Sequence, residues 1–159
     1  AFVDEMSQEM GISIEVAASV REVMERSDVI ALATTSPTPI VEADWFKHGT
    51  HINAVGAHSP AARELDTETV IRSRVVCDLT SACMAEAGDL IIPVQEGAYS
   101  EDSIHGDLGE LVSGTAIGRE DDQQVTLFKS VGLAVEDALA ARVTLANARV
   151  LDRGQSVSW

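Results

Sequence analysis

Three short segments, each just downstream of an apolar run, carry the side chains most able to do chemistry. His58 follows His51-Ile52-Asn53-Ala54-Val55 across Gly56 and Ala57. An imidazole there can act near neutral pH as a general acid or hydrogen-bond donor; it can equally be a solvated loop histidine. Gly56 lets main-chain groups come near a flat ligand. Thr34-Thr35-Ser36-Pro37-Thr38-Pro39 follows the run Val29 to Ala33. Its small hydroxyls can bond a ribose or phosphate, and they also suit a capped turn. Lys129-Ser130-Val131-Gly132 follows Val125 to Phe128 and opens a long helical stretch. A helix N-terminus favours anions and carboxylates, and Ser130 serves there as an ordinary N-cap as well.

Other chemistries lack an anchor. His48 and His51 are three apart, but the strand-like sequence around His51 denies them a shared helical face. Cys77 and Cys83 have no metal-site spacing, so no metal is expected. There is no Gly-x-Ser-x-Gly elbow for a hydrolase and no Walker loop for a nucleotide triphosphate. The Gly-x-Gly-x-x-Gly fingerprint of a dinucleotide site is missing too. The two cysteines sit in apolar stretches and read as buried free thiols in a reducing compartment. With no run near the ~20 apolar residues of a membrane span and no signal peptide, a cytoplasmic location is expected. The formal net charge of -15 sets nucleic acid and anionic membranes aside as partners.

The elements that would position these residues alternate between strand and helix. Residues 1–10 read as a helix stopped by Gly11, and Ile12, Ile14 and Val16 as a short strand. Ser19 caps a helix running through Ser27. The continuous apolar run Val29–Ala33 suits a strand buried on both faces. Further strands are expected at His51–Val55, Arg74–Leu79 and Val125–Phe128, with helices at Thr67–Arg74 and Ser81–Ala87. Residues 88–120 look loop-rich, with a short helix from Asp107 to Val112. The longest helix spans Val131–Val150 with an apolar stripe, and residues 151–159 form a polar tail. This alternation points to an α/β parallel sheet. In such sheets ligands bind beyond the carboxyl ends of the strands, where all three candidate segments fall. At 159 residues, 45% hydrophobic and 23% charged, the chain is long and apolar enough to bury a core.

Several of these segments together resemble one family. Gly49-Thr50-His51-Ile52-Asn53-Ala54-Val55-Gly56-Ala57-His58-Ser59-Pro60, followed by Arg63-Glu64-Leu65-Asp66, is similar to the central signature of the ornithine cyclodeaminase/mu-crystallin family. Val125 through Asp137 is similar to its C-terminal signature. Gly106-Asp107-Leu108-Gly109-Glu110-Leu111, Gly118-Arg119 and Ser27 through Thr34 also match, in order along nearly the whole chain.

The resemblance implies a Rossmann-type sheet, incomplete at its N-terminal side, in a homodimeric oxidoreductase using NAD(H) or NADP(H). Residues 1–150 would be the C-terminal part of that cofactor domain. The first strand–helix–strand unit, with its glycine loop, and a substrate and dimerisation domain would precede Ala1. Cut out in this way, residues 1–159 are expected to expose a sheet edge, bind dinucleotide poorly and aggregate. By position, Thr34 would lie against the cofactor, and Asn53, Ala54 and Val55 would line its nicotinamide side. Ser130 and Val131 would meet substrate or nicotinamide, with Lys129 beside them. His58 stands where cyclodeaminases have Asp, and Ala62 where they tend to have Lys. An imidazole cannot supply a permanent anion for an ammonium, but it can give a proton to an imine nitrogen. The expected reaction is therefore reduction of an imino acid such as a cyclic ketimine, or interconversion of an amino acid and its imine. The alternatives are cyclisation of L-ornithine to L-proline with loss of ammonia, and a non-catalytic protein that binds NAD(P)H or another small ligand.

Overall fold

The computed structural model describes residues 1–157; residues 158–159, the end of the expected tail, lie outside the described residues. Its centre is a four-stranded parallel sheet made of β1 (Val29–Leu32), β2 (His51–Ala54), β3 (Arg74–Cys77) and β4 (Thr126–Lys129), in the order β1-β2-β4-β3. The helices are α1 (Phe2–Met10), α2 (Val20–Arg26), α3 (Thr67–Arg72), α4 (Thr80–Glu86), α5 (Gly88–Gln95), α6 (Leu108–Ser113) and α7 (Ala134–Val150). The expected α/β parallel architecture is present. No helix among the described residues is long and apolar enough to cross a membrane.

Side-chain alternation makes the two faces of the sheet different. Ile30, Leu32, Ile52, Ala54, Val75, Cys77 and Leu127 turn to one face and join Met24, Val41, Leu65, Val70 and Leu90 in the core. The helices over that face start where their caps direct them. Ser19 Oγ accepts from Glu22 N at the head of α2, and Asp66 Oδ1 accepts from Thr69 N at the head of α3. The other face carries Val29, His51, Asn53, Arg74, Val76, Thr126 and Phe128, which line an open groove of about 530 Å³ with Leu108, Leu111 and Arg119.

Four expectations need correcting. The β1 strand is not buried on both faces: it is the sheet edge, and Val29 is 65% exposed. Residues 12–16 form no strand, because nothing pairs with them; Ile14 N donates instead to Ser7 Oγ of α1. The 88–120 region is less loop-like than its composition suggests, since Gly88–Gln95 is the helix α5, packed on α3 and α4 with Leu90 and Ile91 buried. The strand expected at Arg74–Leu79 ends at Cys77, because Asp78 turns its side chain to the loop after β4.

Candidate active site

All four strands run parallel, so their carboxyl ends share one rim of the sheet. Thr34 stands two residues past β1 and Gly56 two past β2, with His58 beyond it. Asp78 directly follows β3, and Ser130, Val131 and Gly132 directly follow β4. Segments far apart in sequence are thereby brought to one edge, the usual ligand side of such a sheet.

The exposed Thr34 hydroxyl oxygen accepts from Ser36 N at 3.2 Å, which leaves its O–H free to donate to a ribose or phosphate oxygen. His58 is exposed, and its Nδ1 donates to the Gly56 carbonyl at 3.0 Å. That bond puts a proton on Nδ1, so Nε2 is the nitrogen left for a substrate. Val55 is partly exposed at the rim and Asn53 lies on the groove side of β2. Ser130 Oγ donates to Asp78 Oδ2 at 2.8 Å, and the N–H groups of Val131 and Gly132 donate to the same oxygen at 2.9 Å each. Gly132 has a φ of +87°, which a side chain would strain.

Two of the expected contact residues are not at the rim surface. Ala54 is fully buried, its methyl in the core beneath the loop. Lys129 was expected beside the substrate, but its side chain is wholly sealed. Its Nζ sits 2.8 Å from Asp89 Oδ2 and 2.7 Å from the Ala57 carbonyl oxygen. A buried ammonium must be paired, and α5 supplies the only partner bonded to it among the described side chains. Lys129 therefore supports the loop that carries His58 and does not itself present a charge to a ligand.

Three buried carboxylates escaped the sequence reading. Asp78 gathers the β4 loop, and its second oxygen accepts from Leu79 N and Cys83 Sγ. Burial alone would raise its pKa, but the Cys83, Ser130, Leu79 and Gly132 donors outweigh that and hold the carboxyl below its ordinary value. Asp89 Oδ1 accepts from the N–H groups of Glu64 and Leu65 at 2.8 and 3.0 Å. Glu64 accepts from Thr34 N at 2.6 Å and Gly56 N at 2.9 Å. The only signal in the sequence was indirect, in that Glu64 stands within the Arg63-Glu64-Leu65-Asp66 segment. Cys77 and Cys83 are buried free thiols, and the neighbouring Cys77, together with burial, pushes the Cys83 thiol far up, so Cys83 does not suit a nucleophile.

Comparison with known proteins gives a consistent answer. The model of the ornithine cyclodeaminase/mu-crystallin family matches residues 1–151. Delta(1)-pyrroline-2-carboxylate reductase from Bacillus cereus (strain ATCC 10987) is 37% identical over 97% of this chain and 47% of its own length. The structure of Thermococcus litoralis Delta(1)-pyrroline-2-carboxylate reductase in complex with NADH and L-proline superposes with a TM-score of 0.89 and 46% identity. That match covers 98% of this chain and 48% of that one. An archaeal alanine dehydrogenase dimer with bound NAD superposes at 0.82 with 33% identity, covering 98% and 48%. The chain thus spans about half the length of the proteins it matches, and the sheet is of Rossmann type.

Proposed function

The chain belongs to the ornithine cyclodeaminase/mu-crystallin family, and on that premise we propose that it forms the C-terminal part of a nicotinamide-dependent imino-acid reductase. The observation that carries this reading is the close superposition on a reductase that holds NADH and L-proline together. The substrate class is a cyclic ketimine, with a small imino acid and its amine as the wider set. The rim suits a flat ligand, because Gly56 lets the main chain after β2 pack directly on the segment after β1 with no side chain between. A Cβ on Gly56 would meet the Thr34 carbonyl oxygen and both Glu64 carboxylate oxygens well inside contact distance.

When bound, NADH or NADPH supplies the hydride that reduces the imine carbon. Thr34 donates to the ribose or phosphate end, and Val55 with Asn53 borders the nicotinamide. Ser130 and Val131 face the substrate on the loop that Asp78 fixes. His58 Nε2, in the imidazolium form, gives its proton to the imine nitrogen, so C=N becomes CH–NH with one hydride and one proton added. The Asp89–Lys129 pair holds the Ala57 carbonyl and so the start of the His58 loop. We place the whole protein in the cytoplasm, where the two thiols stay reduced, and as a homodimer like the archaeal relative.

The test is a spectrophotometric assay of the whole protein with NADH or NADPH and a cyclic ketimine. Consumption of the reduced cofactor, cut about 100-fold in kcat by His58→Gln, is the expected result. Ammonia released from L-ornithine with NAD would instead make it a cyclodeaminase. Stoichiometric binding of reduced cofactor without turnover across a ketimine panel would make it a binding protein.

A further inference from the structure

Leu32 and Ala54 are paired neighbours in the parallel ladder. One residue on, Val55 N still donates to the Leu32 carbonyl at 2.9 Å. There the ladder ends, and the chains after β1 and β2 form the two lips of the rim, still so close that a Cβ on Gly56 would meet the Thr34 carbonyl oxygen. Just beyond, Thr34 N and Gly56 N donate to opposite oxygens of one carboxylate, that of Glu64. The side chain is fully buried. No basic group is bonded to it among the described residues, since the nearby buried ammonium, Lys129, is spent on Asp89. Its own backbone is fixed from below, because Glu64 N donates to Asp89.

We infer that Glu64 is a positioning residue that sets the spacing between the Thr34 lip and the Gly56–His58 lip, and thereby the affinity for the dinucleotide that lies across them. This deepens the reading above and rests on it. The carboxylate stands in for the missing rung of the ladder. The two donors stand on opposite sides of the carboxylate, one oxygen to each, so in this geometry both oxygens must be acceptors. A glutamine offers one carbonyl oxygen and turns its NH₂ against the other N–H. It keeps the volume of Glu64 but loses one lip. Gly56 belongs to the same device, since any side chain there would collide with both the Thr34 carbonyl and the carboxylate.

The experiment compares wild type, Glu64→Gln and Glu64→Asp in the whole protein. It uses NADH and NADPH with a cyclic ketimine, and fluorescence titration of each cofactor without substrate. A purely structural role lowers the fraction of folded enzyme, which reduces kcat and leaves both KM values alone. The positioning role instead raises KM and Kd for the reduced dinucleotide at least tenfold in Glu64→Gln, while KM for the imino acid moves less than threefold. Glu64→Asp keeps the charge but is one methylene short, and falls between the two. Unchanged cofactor affinity in folded Glu64→Gln overturns the inference while leaving the function intact. A fall in kcat with both KM values unmoved does the same, and so does failure of both variants to fold, since Glu64 would then be needed for folding alone. Wild type that binds neither cofactor overturns the function itself, and this inference with it.

Discussion

At the scale of single residues, the chemistry of the rim depends on buried carboxylates. Asp78 holds the β4 loop through three donors on one oxygen, and its pKa lies below the ordinary carboxyl value. A carboxyl depressed by folding contributes stability that is fully present above its unfolded value of about 3.9, and that is lost as pH falls through the lower folded value. Asp78→Asn should therefore cost about 2 kcal/mol near neutral pH, the worth of a hydrogen-bonded charge, and progressively less in acid. Urea unfolding of both proteins between neutral and strongly acidic pH should show the gap between them closing below about pH 4. A gap that stays constant with pH would mean the bonds matter but the charge does not. Thr34, His58 and Ser130 each lie within a few residues of an apolar run, and the parallel sheet brings all three to one rim, as that position in the sequence leads one to expect. Asp78 and Glu64 were not legible as supports. Nothing local to Glu64 reveals that its partner N–H groups lie 30 and 8 residues upstream. Lys129 was misread for the same reason, because its burial depends on a carboxylate 40 residues away.

At the scale of elements, the join between β4, α5 and the segment leading to α3 passes through the Lys129–Asp89 pair. Removing one partner of a buried pair leaves an uncompensated charge, which costs about 3–5 kcal/mol, more than the pair itself contributes. Lys129→Met should accordingly be destabilised by that amount. Adding Asp89→Asn should recover part of the loss, because the amide oxygen still accepts from the 64–65 backbone without burying a charge. Chemical denaturation of the two variants decides the point, and a double variant less stable than the single one would refute the charge argument. The same element explains where the sequence reading of the fold fell short. The stretch Leu90-Ile91-Ile92-Pro93-Val94 contains a proline that argues against a helix, yet burial against α3 and α4 overrides that penalty. The Ile12–Val16 alternation failed in the opposite way, having strand-like periodicity but no neighbour to pair with. The four real strands were found because apolar β-branched runs in a parallel sheet are strong local signals, although the order β1-β2-β4-β3 is set by tertiary packing and was beyond reach.

At the scale of the whole molecule, two apolar surfaces among the described residues are left largely open. One is the edge of the sheet at Val29, 65% exposed, beside the open groove that Leu108 and Leu111 of α6 cover only in part. The other is α7, none of whose residues is buried, with Val135, Leu139 and Val143 spaced four apart along one side and all exposed. Patches of this kind drive association when they meet. The net charge of -15 opposes it, since every encounter brings like-charged molecules together. Ionic strength decides which wins, because the Debye length falls from about 30 Å at 0.01 M to about 8 Å at 0.15 M, while apolar burial hardly responds to such dilute salt. The chain alone should therefore sediment mainly as a monomer at the lower ionic strength and self-associate at the higher, and it should bind a dinucleotide weakly in both. Leu139→Glu with Val143→Glu should suppress the salt-driven association if α7 is the adhesive surface, since a charge on the stripe must be desolvated on contact. Sedimentation velocity at both ionic strengths is the measurement. A chain that stays monomeric at 0.15 M and binds NADH tightly would show that neither surface needs a partner, and that the rim between β1 and β2 is complete within these residues.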